Sequence, residues 1–480
     1  MRLVGLVPLA SLLACGSVEQ DAADGSAGAQ ADASVNDAGE PDAQSASPGD
    51  LRWALSLSAM SGYGIADGPG GLIVTGSITA PAELGDDVLI PRSANDMVIA
   101  GVRSSDASFL YTAQHGARGG GAGYGFLDHA DSGGNAMAYG VSYGDVDLGR
   151  GVVPGGGGGT DPASPPADGF IGRYGPGAPA WILRAVGPGE DKILTTAPAQ
   201  GSKLYAAGWF EETTAIGGQS YPTSGGRDLL LTRLNTFTGA TDFVRTYGGL
   251  GRDEISGAAG DGASLILGGF FDDTLAFDAN VEVTATGGGL DVWVAKFDSD
   301  ANPVWAVSFG GSADDRGAVV AMDQAGDIYV AGQFRDEIAF GAVNLTARGQ
   351  GDIFVAKLDG ADGDVAWAIA IGTDGEDGPG AIAFDGAGHV VVAGTIGGPL
   401  DDEPALGGVE ALLVSLDDTA NGATRWRKVI STSGADYAWD VTVGTSGDLF
   451  AIINLGGPFD FGIPIIGPPN PAGVLLRIAP

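Results

Sequence analysis

Hydrophobic and polar residues form short alternating runs along most of this chain, and the runs recur as one unit. The clearest unit begins at Trp305 and reads WAVSFGG, RGAVVAMD, GDIYVAGQF and GDIFVAKLD. Each run is rich in strand-forming residues and is bounded by Gly or Asp, which is typical of a β-strand between two turns. The pattern predicts four short strands in about 60 residues.

The units can be counted from the aromatic residues that open equivalent segments. These residues are Trp53, Tyr111, Trp181, Phe243, Trp305, Trp367 and Trp426. Four strands in a repeat of this length are typical of a propeller blade. We therefore predict an all-β fold, a seven-bladed β-propeller over residues 51–480, with six or eight blades as the nearest alternative.

The order of the strands also predicts how the ring closes. By analogy with other propellers, AVVAMD is the innermost strand A, DIYVAG is B, DIFVAKL is C and the Trp segment is the outer strand D. The repeats begin at Leu51 with a D-type segment and end at Ile478 with a C-type segment. We expect residues 51–57 to pair with residues 474–478 in the last blade, because this closure removes an open sheet edge.

These units resemble the SBBP-type β-propeller repeats found in bacterial exported proteins. The resemblance rests on the Trp…Gly-Gly segment, the Asp in the D-to-A loop, and the strings GDIYVAG and GDIFVAKLD. It covers the chain from Leu51 onwards and implies the propeller fold and export, but no defined activity or catalytic residues. Two units depart from it: Gly62 and Tyr63 stand in place of the first loop Asp, and residues 155–166 form a Gly/Pro-rich insertion.

The N-terminal segment has the pattern of an export signal. Residues 1–14 contain one Arg and a short apolar stretch, and they end in LLA before Cys15, the only cysteine. This string resembles a bacterial lipobox, so we predict cleavage before Cys15 and lipidation of its thiol; the alternative is an ordinary secretory signal. Residues 15–50 are mostly Ala, Ser, Gly and Asp and predict a disordered linker. The expected location is the bacterial cell envelope, at the outer membrane or cell surface.

Charge limits the choice of partners. The chain has 60 acidic and 23 basic residues, a net charge of −37. Nucleic-acid binding is not expected, because phosphates require a cluster of Lys and Arg. The remaining expected partners are the membrane, through the lipid anchor, and a protein or glycan ligand, with the chain itself expected to be a monomer.

Five D-to-A loops place an acid at the same point of the repeat. These acids are Asp191, Asp253, Asp315, Asp377 and Asp436. Loops of one type emerge on one face of a propeller, so the acids form a ring that could bind Ca²⁺ or another cationic ligand. The alternative is structural: each carboxylate accepts backbone N–H bonds and fixes its turn.

Other polar and aromatic residues give weaker signals. A basic residue recurs late in strand C: Arg173, Arg233, Lys296, Lys357 and Arg477. These side chains could form an anion-binding site. In the structural alternative they pair with acids of the A-to-B turns. His129, next to Asp128 on an inner strand, is a candidate general base or, in the structural alternative, a packed or channel-facing histidine. Trp209, Trp293 and Trp439 break the repeat and could lie at a ligand surface, although Trp293 lies inside strand C and is expected to be packed.

Two classes of function fit these features. The first is a lipid-anchored binding or scaffold module at the cell envelope for a protein or glycan partner. The second, by analogy with other propellers alone, is a hydrolase or lyase acting on extracellular polysaccharide. The polar residues that stand out repeat from blade to blade, whereas a catalytic site needs different groups in different roles, so we expect binding without catalysis.

Overall fold

The computed structural model describes residues 47–480, except 94, 117–122, 156–165, 401–407 and 470. The predicted signal peptide, Cys15 and the linker as far as residue 46 lie outside the described residues. The compact unit begins at Pro48, so the last residues of the predicted linker belong to the folded unit.

Seven antiparallel blades, each with four strands in the order A-B-C-D, make up the described residues, as the repeat predicts. The A strands are Met60–Gly68, Gly123–Ala130, Asp191–Ala199, Asp253–Gly260, Arg316–Met322, Gly378–Phe384 and Tyr437–Val443. The B strands are Gly71–Ile78, Ala136–Tyr143, Lys203–Ile216, Ser264–Phe271, Ile328–Phe334, His389–Ile396 and Leu449–Asn454. The C strands are Asp96–Val102, Ala167–Tyr174, Gln219–Asn235, Asp291–Asp298, Asp352–Leu358, Glu410–Asp417 and Gly473–Ile478. The D strands are Phe109–His115, Trp181–Ala185, Thr241–Tyr247, Pro303–Phe309, Val365–Ile371, Ala423–Ile430 and, for the seventh blade, Leu51–Ser56.

The A strands form the inner ring, and the two ends of the repeat array share the last blade. Each A strand contacts the A strand of the next blade, and the seventh contacts the first. Leu51–Ser56 pairs antiparallel with Gly473–Ile478, with Leu51 opposite Ile478 and Ser56 opposite Val474. The predicted closure is therefore confirmed.

Short additional strands extend the loops between strands B and C. They form hairpins in blades 1, 2, 4 and 5: Ala82–Leu84 with Asp87–Leu89, Val146–Asp147 with Val152–Val153, Thr274–Ala276 with Glu282–Thr284, and Glu337–Phe340 with Val343–Thr346. In blade 7, Ile465–Ile466 lies parallel to the first strand. The described part of the chain holds one helix, the short 3-10 turn Asp418–Ala420, and none long and apolar enough to cross a membrane.

The hydrophobic core lies between neighbouring blades. In the C strand of blade 4, Val292 and Val294 pack in one cluster with residues of blade 5, while Trp293 and Ala295 pack in another with residues of blade 3. Alternate residues of a strand point to opposite faces, and both faces of each blade are covered. The inner strands are therefore apolar on both sides, which explains their long hydrophobic runs.

The repeated tryptophans of strand D join their blades to the neighbouring ones. The Nε1–H of Trp181 donates to the Thr236 carbonyl (2.9 Å), and its ring lies against Gly239, both in the C-to-D turn of blade 3. Gly239 has a positive φ of +70°, and a Cβ there would overlap the ring. Trp305 lies against Gly363 and Trp367 against Gly422 in the same way.

The residues just before the first strand complete this pattern in the last blade. Gly49, with φ +84°, lies against the ring of Trp426, and its N–H donates to the carbonyl of Ala479 (2.9 Å). Gly49 thus takes the place of the turn glycine that a continuous seventh blade would have between strands C and D.

Candidate functional site

The five D-to-A acids lie at equivalent positions, and all are buried. Asp191 and Asp253 are the first residues of their A strands, and the other three immediately precede theirs. All five side chains belong to residues with 0% exposure. D-to-A loops and B-to-C loops emerge on one face of the propeller, which we call the loop face. The acids thus surround the inner strands at this face, beneath its surface.

Two of these acids are fully engaged by their own turn. Asp377 accepts bonds from the N–H (2.5 Å) and hydroxyl (2.8 Å) of Thr373, and from the N–H of Gly397 at the end of strand B (2.7 Å). Asp436 repeats the arrangement with Thr432 and Gly456. Such bonds fix the loop between two blades, as the structural alternative describes.

The acids of blades 4 and 5 have fewer donors. Asp253 accepts from the N–H of Gly249 (2.8 Å), and Asp315 from the N–H of Arg335 (3.1 Å). Glycine, at Gly249 and Gly311, stands where the later loops have threonine. One buried oxygen of Asp253 and one of Asp315 have no hydrogen-bond partner.

A second set of acids, which the sequence analysis did not single out, begins or lies within strand C at the same face. The set is Asp96, Asp168, Asp228, Asp291, Asp352 and Glu410, each with 0–2% exposure. The signal was present in the sequence, since the Asp of GDIFVAKLD recurs in earlier units. Four of them lie beside the glycine that follows strand D of the same blade: a Cβ at Gly116, Gly248, Gly310 or Gly372 would overlap the carboxyl of Asp96, Asp228, Asp291 or Asp352, respectively.

The two sets meet in pairs where one blade joins the next. Asp228 of blade 3 and Asp253 of blade 4 lie on either side of the Gly248–Gly249 peptide, and Asp291 and Asp315 lie on either side of Gly310–Gly311. Burial raises the pKa of Asp253 to about 7 and that of Asp315 to about 8, and the partner acid adds to each rise.

The pKa values of the other three loop acids are also raised. Burial raises the pKa of Asp191 to about 7. It also raises the pKa values of Asp377 and Asp436, where the threonine and glycine donors oppose the rise. Among the described residues, no group of three or more His, Cys, Asp or Glu side chains is arranged to hold a metal ion. The Ca²⁺ hypothesis stays a prediction.

The residue after each loop acid differs in every blade. The set is Lys192, Glu254, Arg316, Gly378 and Tyr437. All lie at the loop-face end of an inner strand, in a frame that is otherwise repeated.

On blades 3 to 5 these residues belong to a network of ion pairs. Arg227 lies over the Trp209 ring, 4.1 Å from its centroid, and pairs with Glu211 (2.8 Å) and Glu254. Arg252 also pairs with Glu254, and farther along Arg316 pairs with Asp314 (2.7 Å) and Arg335 with Glu376. These arginine side chains keep 18–30% of their surface exposed. The loop face therefore presents arginines in a strongly acidic protein.

On blades 7, 1 and 2 the inner strands carry aromatic residues instead. Trp439 packs edge-on against Tyr63 (ring centroids 5.7 Å apart) and stacks with Tyr437 (5.8 Å), while Tyr63 also contacts Phe126 (5.8 Å). Tyr63 and Trp439 lie at β-bulges, which redirect a side chain out of the regular alternation. The Trp439 indole N–H has no acceptor. In contrast, Trp209 and Trp293 are buried, so neither lies at an exposed ligand surface.

His129 does not join the loop-face acids. Its Nδ1 lies 3.2 Å from the hydroxyl of Thr196, five residues along the inner strand from Asp191, or roughly 16 Å at the rise of a strand. Burial lowers the pKa of His129 to about 4, so the imidazole is neutral at physiological pH. The side chain of Asp128 lies outside the description.

The basic residues late in strand C lie on the opposite face and are paired. Arg173 bonds Asp131 (2.5 Å) and Arg477 bonds Asp448 (2.6 Å), both acids of A-to-B turns. Lys357 reaches Asp327 (3.1 Å) and Asp418 (2.8 Å). Arg233 pairs with Asp242, and Lys296 donates to the Gly360 carbonyl (2.6 Å). The pairing with A-to-B turn acids is confirmed for Arg173, Lys357 and Arg477.

Comparison with known proteins gives no family. No family model matches the chain, and no curated protein does. One similar solved structure is Sqt1 from Saccharomyces cerevisiae, with 10% identity and a TM-score of 0.41 over 90% of this chain and 100% of that one. Another is Raptor from Chaetomium thermophilum, with 9% identity and a TM-score of 0.42 over 90% of this chain and 28% of that one. A protein of unknown function from Dyadobacter fermentans is similar at 11% identity (TM-score 0.38, 89% and 98%). Likenesses this weak carry no information about function.

Proposed function

We propose that this protein is an exported, lipid-anchored β-propeller that binds a protein or glycan partner at the cell envelope through its loop face. The anchor rests on the lipobox-like LLA–Cys15 string, and export also on the resemblance to SBBP-type repeats. The binding surface rests on the residues around the inner strands.

One observation carries the binding proposal: a repeated structural frame holds a different residue in each blade at the same place on one face. In five blades the loop acid is the same and buried, whereas the next position holds Lys192, Glu254, Arg316, Gly378 or Tyr437. Lys192 and Glu254 are buried as well, so Arg316, Gly378 and Tyr437 are the members that reach the surface. A structural role would favour the same residue in every blade. Variation at one ring of positions is what recognition of a single, asymmetric ligand requires.

The loop face carries aromatic residues on one side of the ring and arginines on the other, and this combination favours a glycan among the expected partners. Half-buried Tyr437 and Trp439 offer aromatic faces, and Tyr437 also carries a hydroxyl group. Aromatic residues with a polar end suit ligands that combine apolar and hydroxyl groups. Across the inner ring, the arginines of blades 4 and 5 supply charged donors suited to carboxylate or phosphate substituents.

A glycan array tests the binding surface directly. We expect the mature chain carrying Cys15→Ser, which keeps it soluble, to bind one class of bacterial surface glycan. Tyr437→Ala and Arg316→Ala are expected to weaken that binding at least tenfold. Arg103→Ala is the matched control, because this exposed side chain lies in a C-to-D turn on the opposite face. Equal binding by all four proteins would contradict the proposed surface.

The anchor is tested separately in cells. We expect Cys15→Ser to move the protein from the membrane fraction to the soluble fraction. Unchanged membrane retention would rule out the lipid anchor while leaving the loop-face proposal untouched.

A further inference from the structure

We infer that the acid pairs between blades 3 and 4 and between blades 4 and 5 each retain a proton on one carboxyl near neutral pH, so that these two contacts between blades are strengthened in acid and weakened in alkali. The pairs are Asp228 with Asp253 and Asp291 with Asp315. This device does not depend on the proposed ligand.

Each of these buried carboxyls accepts hydrogen bonds on one oxygen only and lacks a paired base among the described residues. All four belong to residues with 0–1% exposure, and in each pair the two carboxyls flank one Gly-Gly peptide. One oxygen of every member has no hydrogen-bond partner: Oδ1 of Asp228, Asp253 and Asp291, and Oδ2 of Asp315. An ionised carboxylate buried with an unsatisfied oxygen is strongly disfavoured. A proton on one member removes the repulsion between the two charges.

The charged groups that face these pairs do not neutralise them. The charges that bear on Asp253 come from Asp228, Asp272 and Asp273. Those that bear on Asp315 come from Asp291 and Asp314. All are acids, and like charges close together favour the protonated form of one of them.

The nearby bases are already paired with other acids. Arg252 bonds Glu254, Arg316 bonds Asp314, and Arg335 bonds Glu376. Arg335 contributes only its backbone N–H to Asp315 (3.1 Å).

In the later contacts between blades a threonine hydroxyl donates to the loop acid itself, whereas between blades 4 and 5 the hydroxyl of Thr286 donates to the strand-C acid Asp291 (2.9 Å). Between blades 5 and 6 the hydroxyl of Thr373 donates to Asp377, and between blades 6 and 7 that of Thr432 donates to Asp436. Gly249 and Gly311 cannot do this. A Cβ at either position would overlap a backbone carbonyl of the B-to-C hairpin that pairs with the loop, the carbonyl of Thr274 or of Glu337.

The direction of the pH effect follows from linkage. Asp253 and Asp315 have raised pKa values of about 7 and about 8 in the fold, and about 3.9 when unfolded. Between these limits the folded state binds more protons than the unfolded state, so stability falls as pH rises. The loss begins above pH 4 and is complete only above pH 8.

Infrared spectroscopy of the full mature chain (Cys15→Ser) tests the bound protons. At pH 6 we expect the C=O stretching band of buried, protonated carboxyl groups, which shifts in D₂O and disappears by pH 9. Asp253→Asn and Asp315→Asn are each expected to remove part of this band, because each replaces one protonated carboxyl with a neutral amide. Absence of the band in the wild-type protein at pH 6 would overturn the inference, even if neither variant folds.

Thermal unfolding provides the matched comparison. We expect the wild-type melting temperature to fall by on the order of 5 °C between pH 6 and pH 9, and the double variant Asp253→Asn/Asp315→Asn to lose most of this fall. Asp377→Asn should instead lower the melting temperature at every pH, because its amide would face the donors of Thr373 and Gly397. An unchanged pH dependence in the double variant would contradict the proposal. So would a Ca²⁺-dependent rise in melting temperature that those substitutions abolish, since it would show that a cation occupies the pairs.

Discussion

The contacts between blades 3, 4 and 5 differ from those between blades 5, 6 and 7, although the same pair of acids lies at each. In the first group a B-to-C hairpin pairs with the D-to-A loop, through bridges from Gly248 to Ala276 and from Gly310 to Ala339. The hairpin occupies the space of a side chain, so only glycine fits at the next position. In the second group a Gly-Gly turn follows strand B, at Gly397 and Gly456, and leaves room for threonine.

This difference shows that one structural requirement, a buried acid in the loop, is met by two means. Where threonine fits, Asp377 and Asp436 are satisfied by hydrogen bonds. Where the hairpin takes the space, backbone pairing holds the loop and the acids keep an unsatisfied oxygen. The repeat preserves the architecture while the electrostatics of neighbouring blades diverge.

The largest effect on stability is expected from adding a methyl group to the D-to-A loop where a B-to-C hairpin pairs with it. Gly311→Ala and Gly249→Ala place a Cβ on the carbonyl oxygens of Glu337 and Thr274, so the loop and hairpin must separate. We expect a loss of about 3 kcal/mol or more in the free energy of unfolding, measured by urea denaturation. Gly177→Ala, where a Cβ meets nothing within 4 Å, is the control and should change stability little. Equal effects at the three sites would contradict this account of the hairpin.

A smaller effect on stability is expected from removing the threonine hydroxyl from a contact between blades 5, 6 and 7. Thr373→Val keeps the shape but leaves an oxygen of Asp377 without its 2.8 Å donor. We expect a cost of about 1–3 kcal/mol in the free energy of unfolding and a steeper loss of stability above neutral pH. Thr346→Val, at an exposed hairpin position, is the matched substitution. If Thr373→Val were as neutral as Thr346→Val, the hydroxyl would not be what distinguishes the two types of contact.

The smallest effect is expected from a surface ion pair that spans blades 5 and 6. Arg348 and Asp374 lie 3.3 Å apart with side chains 49% and 86% exposed. Solvent and salt screen such a pair, so Arg348→Ala should change the free energy of unfolding by about 0.5 kcal/mol or less. A loss comparable to that of Thr373→Val would mean that surface charge, and not the buried acids, holds this contact together.

Much of the fold could be predicted because it depends on local sequence patterns. Strand runs bounded by Gly and Asp give the four strands, and the aromatic residues from Trp53 to Trp426 give seven units. The incomplete ends predicted the pairing of Leu51 with Ile478. The candidate site was predicted only in part: the five loop acids were found, but their partners in strand C, such as Asp228, were not.

The sequence by itself determined the strand periods, the turns and the blade count, because each depends on residues close together in the chain. Only the tertiary structure decided which groups meet between blades. Asp228 acts electrostatically on Asp253 only after two sheets pack, and Gly49 takes the place of a turn glycine only after the ring closes. Burial was decided at the same step: Trp209 and Trp293, candidates for a ligand surface, lie in the core, while Trp439 is left half-buried at a bulge. The physical reason is that solvation and the strength of charge interactions depend on everything packed around a group.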